Sequence, residues 1–343
     1  MSITDLCDIV PVWDMSNDDW LQARQSGIGG SEIGAIAGLS KYESVYSIWA
    51  RKVHDISSFS GNAATDLGHL LELPVAQAYA KDHNAAIVEW KVIFRSKQHS
   101  FLSANVDFFI VEPSDQFPAG VVTDWQHLEE PANIHSILEC KTGALASPGS
   151  PHEWFKDGGS VPDGYACQGL WYLAATGLDT VEFACLLGGY GMQYRTMHRD
   201  DSTIGHLLQI GESFWETYVL PGTPPPLDGS DATESAIKSM YPRSEPGKSV
   251  EGGETLGKLW DQFQAAKIKA KEAEAEQKAF RAQILEIIGD AEVALVNGEA
   301  VATWKTGKDT DFFATEIFKG DYPDLYQQYT RSRPGFRTLR EKK

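Results

Sequence analysis

At 343 residues, 42% of them apolar and with 10 Trp, 12 Tyr and 15 Phe, the chain has the material for one large domain or two modest ones. Its formal net charge of −18, from 30 Lys and Arg against 48 Asp and Glu, argues against a protein that coats nucleic acid by bulk electrostatics. It leaves room for an enzyme that touches few phosphates in a lined channel. No apolar run reaches the length of a membrane span, and the first eight residues carry neither a basic nor an apolar region of a secretory signal. The four cysteines, Cys7, Cys140, Cys167 and Cys185, lack C-x-x-C spacing. Zinc ribbons and iron–sulfur ligation are therefore not expected, and a reducing cytoplasm is.

In chain order, residues 1–226 read as one α/β unit. Trp20–Arg24 predicts a short helix, which Gly27-Ile28-Gly29-Gly30 breaks. A second helix starts at Ser31, a plausible N-cap, and runs to Gly38. Val45–Lys52 and Asp66–Lys81 predict two more, the latter with Leu67, Leu70, Leu71, Val75 and Ala78 near helical spacing. Strands are expected at Ala86–Phe94, Phe101–Val111 and Ile134–Lys141, with the polar stretch Glu112–Asn133 as an excursion between the last two. A helix at Tyr165–Thr176, strands at Thr180–Leu187 and Met192–His198, and a helix at Ile204–Tyr218 complete the unit. Pro221-Gly222-Thr223-Pro224-Pro225-Pro226 ends it. A linker over 227–252 is expected to lead into an extension over 253–343. That extension holds an Ala/Lys/Glu-rich helix at Leu256–Ile288, a hairpin around Asn297-Gly298, and a basic tail from Arg331. Alternating charge makes Lys267, Lys269 and Lys271 read as a solvated face.

Two places carry chemistry. In Ile137-Leu138-Glu139-Cys140-Lys141-Thr142 the two charges are two residues apart, so on a strand they share a face. Asp107 lies between Val106 and Phe108-Phe109-Ile110. An E-x-K triplet alone is usually a solvated salt bridge on an edge strand. Acids embedded in apolar sequence, however, are costly unless they serve each other or a metal. Two hard oxygen donors and a lysine are the minimal set for metal-assisted phosphodiester hydrolysis. The second place is Arg24-Gln25-Ser26-Gly27-Ile28-Gly29-Gly30-Ser31. Approachable backbone N–H groups, the Ser31 hydroxyl and the Arg24 fork can make an anion site there. Taken alone, the run reads first as a glycine-rich turn that merely caps a helix. Glu32 is placed where the helix dipole alone favours an acid, and His69 and His152 are not needed by an oxygen-donor site.

Taken in order, these pieces resemble the YqaJ-type viral recombinases, relatives of bacteriophage lambda exonuclease within the PD-(D/E)XK nucleases. The matching segments are Trp20-x-x-x-Arg24 with Gly27-Ile28-Gly29-Gly30-Ser31-Glu32, then Ala37-Gly38-Leu39-Ser40-x-Tyr42 and Gly68-x-x-Leu71-Glu72. After them come Ala104-Asn105-Val106-Asp107, Leu138-Glu139-Cys140-Lys141-Thr142 and Tyr165-x-x-Gln168-x-x-x-Tyr172. The resemblance covers about 18–226. It implies a restriction-endonuclease-like α/β core, a central mixed sheet flanked by helices. Asp107 and Glu139 then correspond to the metal-binding carboxylates, the Cys140 carbonyl to a further ligand and Glu72 to an accessory acid. Lys141 corresponds to the lysine that positions water, Gln168 to the helix glutamine bordering the site, and Arg24 and Ser31 to the residues holding a 5′-phosphate. The implied activity is Mg²⁺-dependent (Mn²⁺ substituting) 5′-to-3′ digestion of one strand of duplex DNA, leaving 3′ single strands for recombination. The implied partners are double-stranded DNA ends, a single-strand annealing protein and further copies of the chain in a trimeric ring, in a bacterial host or phage-infected cell. Two other readings stand beside it: a RecB-like endonuclease or single-strand-specific nuclease, and a non-enzymatic DNA-end-binding module on the same fold.

Overall fold

The computed structural model describes residues 2–54, 63–143, 154, 160–188, 190–332, 335 and 337–341. Contacts divide the chain into two units, Met1–Pro242 and Arg243–Lys343.

In the first unit the helices are α1 (Ile3–Leu6), α2 (Asn17–Gln25), α3 (Gly30–Ile36), α4 (Val45–His54), α5 (Ala63–His83), α6 (Asp163–Thr176), α7 (Asp201–Phe214) and α8 (Asp231–Met240). The strands are β1 (Cys7–Pro11), β2 (Ala86–Trp90), β3 (Val92–Ser96), β4 (Ser103–Ala104), β5 (Phe108–Val111), β6 (Gly120–Trp125), β7 (Ile134–Gly143), β8 (Thr180–Leu187) and β9 (Gly191–His198). Six of them form a mixed sheet in the order β6-β2-β5-β7-β8-β9, in which β7 runs parallel to β8 and antiparallel to β5. The expected α/β core, a central mixed sheet flanked by helices, is thus the observed one.

Period-2 burial assigns the faces. On β7, Leu138 and Cys140 face α5, where they pack with Val75, Ala76, Tyr79 and Ala80. Ile137 faces the other way, into the larger core built with Leu170, Trp171 and Leu173 of α6 and Ile33 of α3. The burial along α5 departs from the expected helix face. Leu67 and Leu70 are exposed, and only the half after Pro74 is buried against the sheet. The α6 helix stops at Gly177, whose φ of 75° is the left-handed cap that glycine takes without strain.

Both long strands expected in the middle of the chain are broken. Ala86–Phe94 divides at Lys91, whose carbonyl accepts from the Val12 N–H. Past that point β3 pairs with β1 and β4 in a separate three-stranded sheet. Phe101–Val111 divides at Asn105–Asp107, so Asp107 stands just before β5 rather than within a strand. The excursion over 112–133 is not merely a loop. Its β6 pairs parallel to β2 and supplies the outer strand of the sheet, while Phe117 packs beneath with Val88 and Val111. The expected Ile204–Tyr218 helix begins at the Asp200 cap and continues into a π-helical turn, Trp215–Val219.

Within the stretch 227–252, expected as a linker, α8 packs on α4. Ser44 and Thr233 share a buried hydroxyl hydrogen bond of 2.7 Å, and Ile237 and Met240 join the core. The apolar residues Ala236, Ile237 and Met240 amid polar neighbours are what give this helix a side to bury. The second unit consists of α9 (Gly253–Ile288), the hairpin β10 (Val293–Val296) and β11 (Glu299–Thr303), and two short helices, α10 (Thr315–Asp321) and α11 (Pro323–Tyr329). Asn297 and Gly298, with φ of 51° and 85°, form the expected hairpin turn. All four cysteines are buried and unpaired. Among the described residues no helix is long and apolar enough to cross a membrane.

Candidate active site

The register Phe108↔Leu138 between β5 and β7 places Asp107 level with Glu139 at the point where the two strands part. There Asp107 Oδ2 accepts the Cys140 N–H at 2.9 Å, replacing the strand partner that β5 no longer supplies. Glu139 and Lys141 point to the α6 face, as their spacing requires. Lys141 Nζ donates to Glu139 Oε1 at 2.6 Å and lies 5.1 Å from the centre of the Tyr165 ring. Gln168 Nε2 donates to the same Oε1 at 2.6 Å and also reaches the Tyr172 hydroxyl at 2.9 Å. The Glu139 side chain is 1% exposed. Its second oxygen, Oε2, is buried with no hydrogen-bond partner among the described residues.

The electrostatics follow from this crowding. Burial, then the charge of Asp107, pushes the Glu139 carboxyl up to about 8 against the pull of Lys141. Burial likewise raises Asp107, with Lys141 and the Cys140 N–H opposing it. Glu72, reaching the cluster from α5, is raised by burial and by Asp107 while His69 Nδ1 holds its Oε1 at 2.8 Å. Burial disfavours the Lys141 ammonium, but Glu139 and Asp107 overcome it and hold it charged above its ordinary range.

Asp107 raises Glu72 and Glu139, and with one buried carboxylate oxygen lacking a donor among the described residues the three acids form a donor set suited to a hard divalent cation. Among the described residues no three His, Cys, Asp or Glu side chains are arranged to hold a metal by themselves. A cation there would rely on fewer side chains, completed by a main-chain carbonyl and water. His69 serves Glu72, and His152 lies outside the described residues.

The glycine segment forms a second centre beside α6. Ile28 is fully buried. Its N–H donates to the Phe101 carbonyl at 2.6 Å, and its own carbonyl accepts from the Trp171 indole at 2.8 Å and the Ser103 N–H at 3.1 Å. The α3 cap is Gly29 rather than Ser31: Glu32, three residues on, accepts the Gly29 N–H at 2.8 Å. Ser31 is therefore released from capping and sits exposed, 3.5 Å from Arg24 Nη2. Arg24 in turn lies over the Trp20 ring at 4.7 Å.

Beneath this loop lies a pair that sequence reasoning missed. Lys52, with its side chain 1% exposed, donates to the carbonyls of Gly27 (2.6 Å) and Arg24 (3.2 Å) and pairs with Glu32 at 2.7 Å. Arg51 bridges Glu32 and Glu43. Burial raises Glu32, and Lys52 and Arg51 override it, holding the carboxylate below its usual range. The signal was available. Lys52 lies in the last turn of a helix whose buried face includes Ile48 and Trp49, and Glu32 is followed by a wholly apolar run.

Residues 19–179 match the model of the YqaJ-like viral recombinase domain. Over 318 residues, 92% of this chain and 91% of the relative, the sequence is 30% identical to the uncharacterized protein YqaJ of Bacillus subtilis (strain 168). The chain belongs to the YqaJ-like viral recombinase family. Among solved structures it is similar to an alkaline exonuclease from Laribacter hongkongensis, at 17% identity and a TM-score of 0.41 over 59% of this chain and 92% of that one. It is also similar to a phage-related exonuclease from Haemophilus somnus 129PT, at 15% identity and a TM-score of 0.40 over 59% of this chain and 99% of that one. These last two similarities are too distant to bear on the chemistry of this YqaJ-like chain.

Proposed function

We propose that this chain is a metal-dependent exodeoxyribonuclease that digests one strand of duplex DNA in the 5′-to-3′ direction from phosphorylated ends. The observation that carries the reading is the buried meeting of Asp107, Glu139 and Lys141, with Glu139 Oε2 left without a donor. A retired binding module would gain nothing from so costly an arrangement. Asp107, Glu139 and the Cys140 carbonyl would hold Mg²⁺ or Mn²⁺, with Glu72 reaching the ion through water. Such an ion, when bound, supplies positive charge to a scissile phosphate and acidifies water. Lys141, held charged, presents an N–H to the attacking oxygen and keeps it directed at phosphorus. Gln168 fixes the rotamer of Glu139 by donating to Oε1 while Tyr172 braces the amide. Arg24 and Ser31 hold the terminal 5′-phosphate, which makes the enzyme read an end rather than an internal site.

A trimeric ring around DNA and a single-strand annealing protein that takes the product belong to the same reading. The deciding assay is digestion of linear duplexes with and without a 5′-phosphate, in Mg²⁺ or in EDTA. Cation-dependent shortening that favours phosphorylated ends supports it. Internal cleavage of circular DNA would favour an endonuclease, and binding without cleavage a retired module.

A further inference from the structure

The 36-residue helix α9 buries one residue, Ile288, along its whole length. Six of its seven exposed large apolar side chains share one line, Ile268 being the exception. Leu256, Leu259 and Phe263 at one end and Phe280, Ile284 and Ile287 at the other fall on a single alternation of three and four residues. Ala266, Ala270, Ala273 and Gln277 continue it through the middle without a break. Ten successive a and d positions from Leu256 to Ile287, nine of them apolar or alanine and one the polar Gln277, are the pattern of a coiled-coil seam, which has no function on a solvated single helix.

The chain carries its own complement. The midpoint of the seam falls between Lys271 and Glu272. About that point four of the five seam pairs are matched in size, Leu256 with Ile287, Leu259 with Ile284, Phe263 with Phe280 and Ala270 with Ala273, while Ala266 meets the longer Gln277. Charge is mirrored with opposite sign. Lys267, Lys269 and Lys271 on one side map onto Glu276, Glu274 and Glu272 on the other. We infer that α9 is a self-association site at which a second copy of this chain packs antiparallel, centred between Lys271 and Glu272. Flanking the seam, Lys267 then faces Glu274 of the second copy and Lys269 faces Glu276 of the second copy, each pair occurring twice by symmetry. A parallel pairing would instead lay the lysine block beside the lysine block. Within one chain Glu274 pairs with Lys278 at 2.6 Å and Lys267 lies 3.9 Å from Glu341, but these contacts are exposed and weak enough to yield.

This inference does not depend on the nuclease reading, and neither do its tests on the full-length protein. Leu256→Cys and Ile287→Cys variants, mixed and oxidised, should form a disulfide-linked dimer in good yield. Either variant alone should not, because the two copies of one position lie 31 residues apart along the coil, roughly 46 Å. Cross-linking of either variant with itself would overturn the antiparallel arrangement. Sedimentation should give an even multiple of the 37.8 kDa chain mass. The double variants Lys267→Glu/Lys269→Glu and Glu274→Lys/Glu276→Lys should each weaken association at least ~tenfold and recover it when mixed. A wild-type monomer or trimer, or charge variants that associate as wild type does, would overturn self-association through α9.

Discussion

In the proposed function Glu139 is the residue on which the chemistry turns, because one of its oxygens is doubly occupied and the other has no donor among the described residues. Glu139→Ala or Asp107→Ala should lower cleavage at least ~1000-fold, about 4 kcal/mol of barrier, with the fold retained. Lys141→Ala should retain DNA binding and cleave ~100- to 10,000-fold more slowly. Near-normal digestion by Glu139→Ala would refute the site. The raised carboxyl also sets a pH dependence. The fold prefers neutral Glu139, so its contribution to stability is complete below its ordinary value of 4.5 and is lost as the pH rises towards about 8. Cation binding needs the ionised form. The gain in Tm on adding Mn²⁺ should therefore grow between about pH 5 and about pH 8. Glu139→Gln should raise the cation-free Tm at the upper end and remove most of that gain. A cation effect independent of pH would contradict the assignment.

At the scale of elements, the glycine loop is fixed from below by α4 and from the side by α6. Lys52→Met leaves Glu32 buried with less compensation, a loss of about 3–5 kcal/mol. Pairing it with Glu32→Gln should restore much of the stability without restoring the clamp on the Arg24 and Gly27 carbonyls. That double variant should lose at least ~tenfold of the preference for phosphorylated over unphosphorylated ends, because a shifted loop misplaces Arg24 and Ser31. An unchanged ratio would make Lys52 purely structural. Gly30 shows how close the two centres lie. A Cβ there would meet the Tyr172 ring at 2.4 Å, so Gly30→Ala should cost about 1–3 kcal/mol and disturb the Tyr172–Gln168–Glu139 chain. Unchanged thermal stability and activity would show that the ring yields freely.

Much of this was legible in the sequence, and what was not has a physical reason. The shared face of Glu139 and Lys141 followed from strand period alone. Asp107 was placed near them, but its removal from the strand was not visible, because the break at Asn105–Asp107 is set by which sheet each half pairs with. β6 was missed because its gain is tertiary, a parallel edge on β2. Ser31 was mistaken for a cap because Gly29, with Glu32 reaching back to it, does the same work with no side chain. The burial of Lys52 escaped notice because a terminal helix lysine ordinarily reads as solvated.

For the whole molecule, the contacts make Met1–Pro242 a unit with its own core, so a chain ending at Pro242 should fold and retain nuclease activity. Loss of folding in that fragment, seen by circular dichroism, would show that the second unit is required. With a net charge of −18, sustained digestion calls for enclosure more than affinity, which is the argument for a ring. Binding should still weaken as salt rises. The two modes of assembly separate cleanly. Charge-reversed α9 variants that sediment as trimers leave the ring standing, whereas monomers dismiss it. The four buried thiols have a practical consequence. Burial raises Cys7, Cys140, Cys167 and Cys185 alike, so an alkylating reagent reaches them only when the chain opens. Cys140 adjoins the carboxylates, while the Cys7 thiol donates to the Ala175 carbonyl at 3.2 Å on the far end of α6. Alkylation at Cys140 that slows when Mn²⁺ is added, with Cys7 unaffected, would time the opening of the catalytic strand without any introduced label.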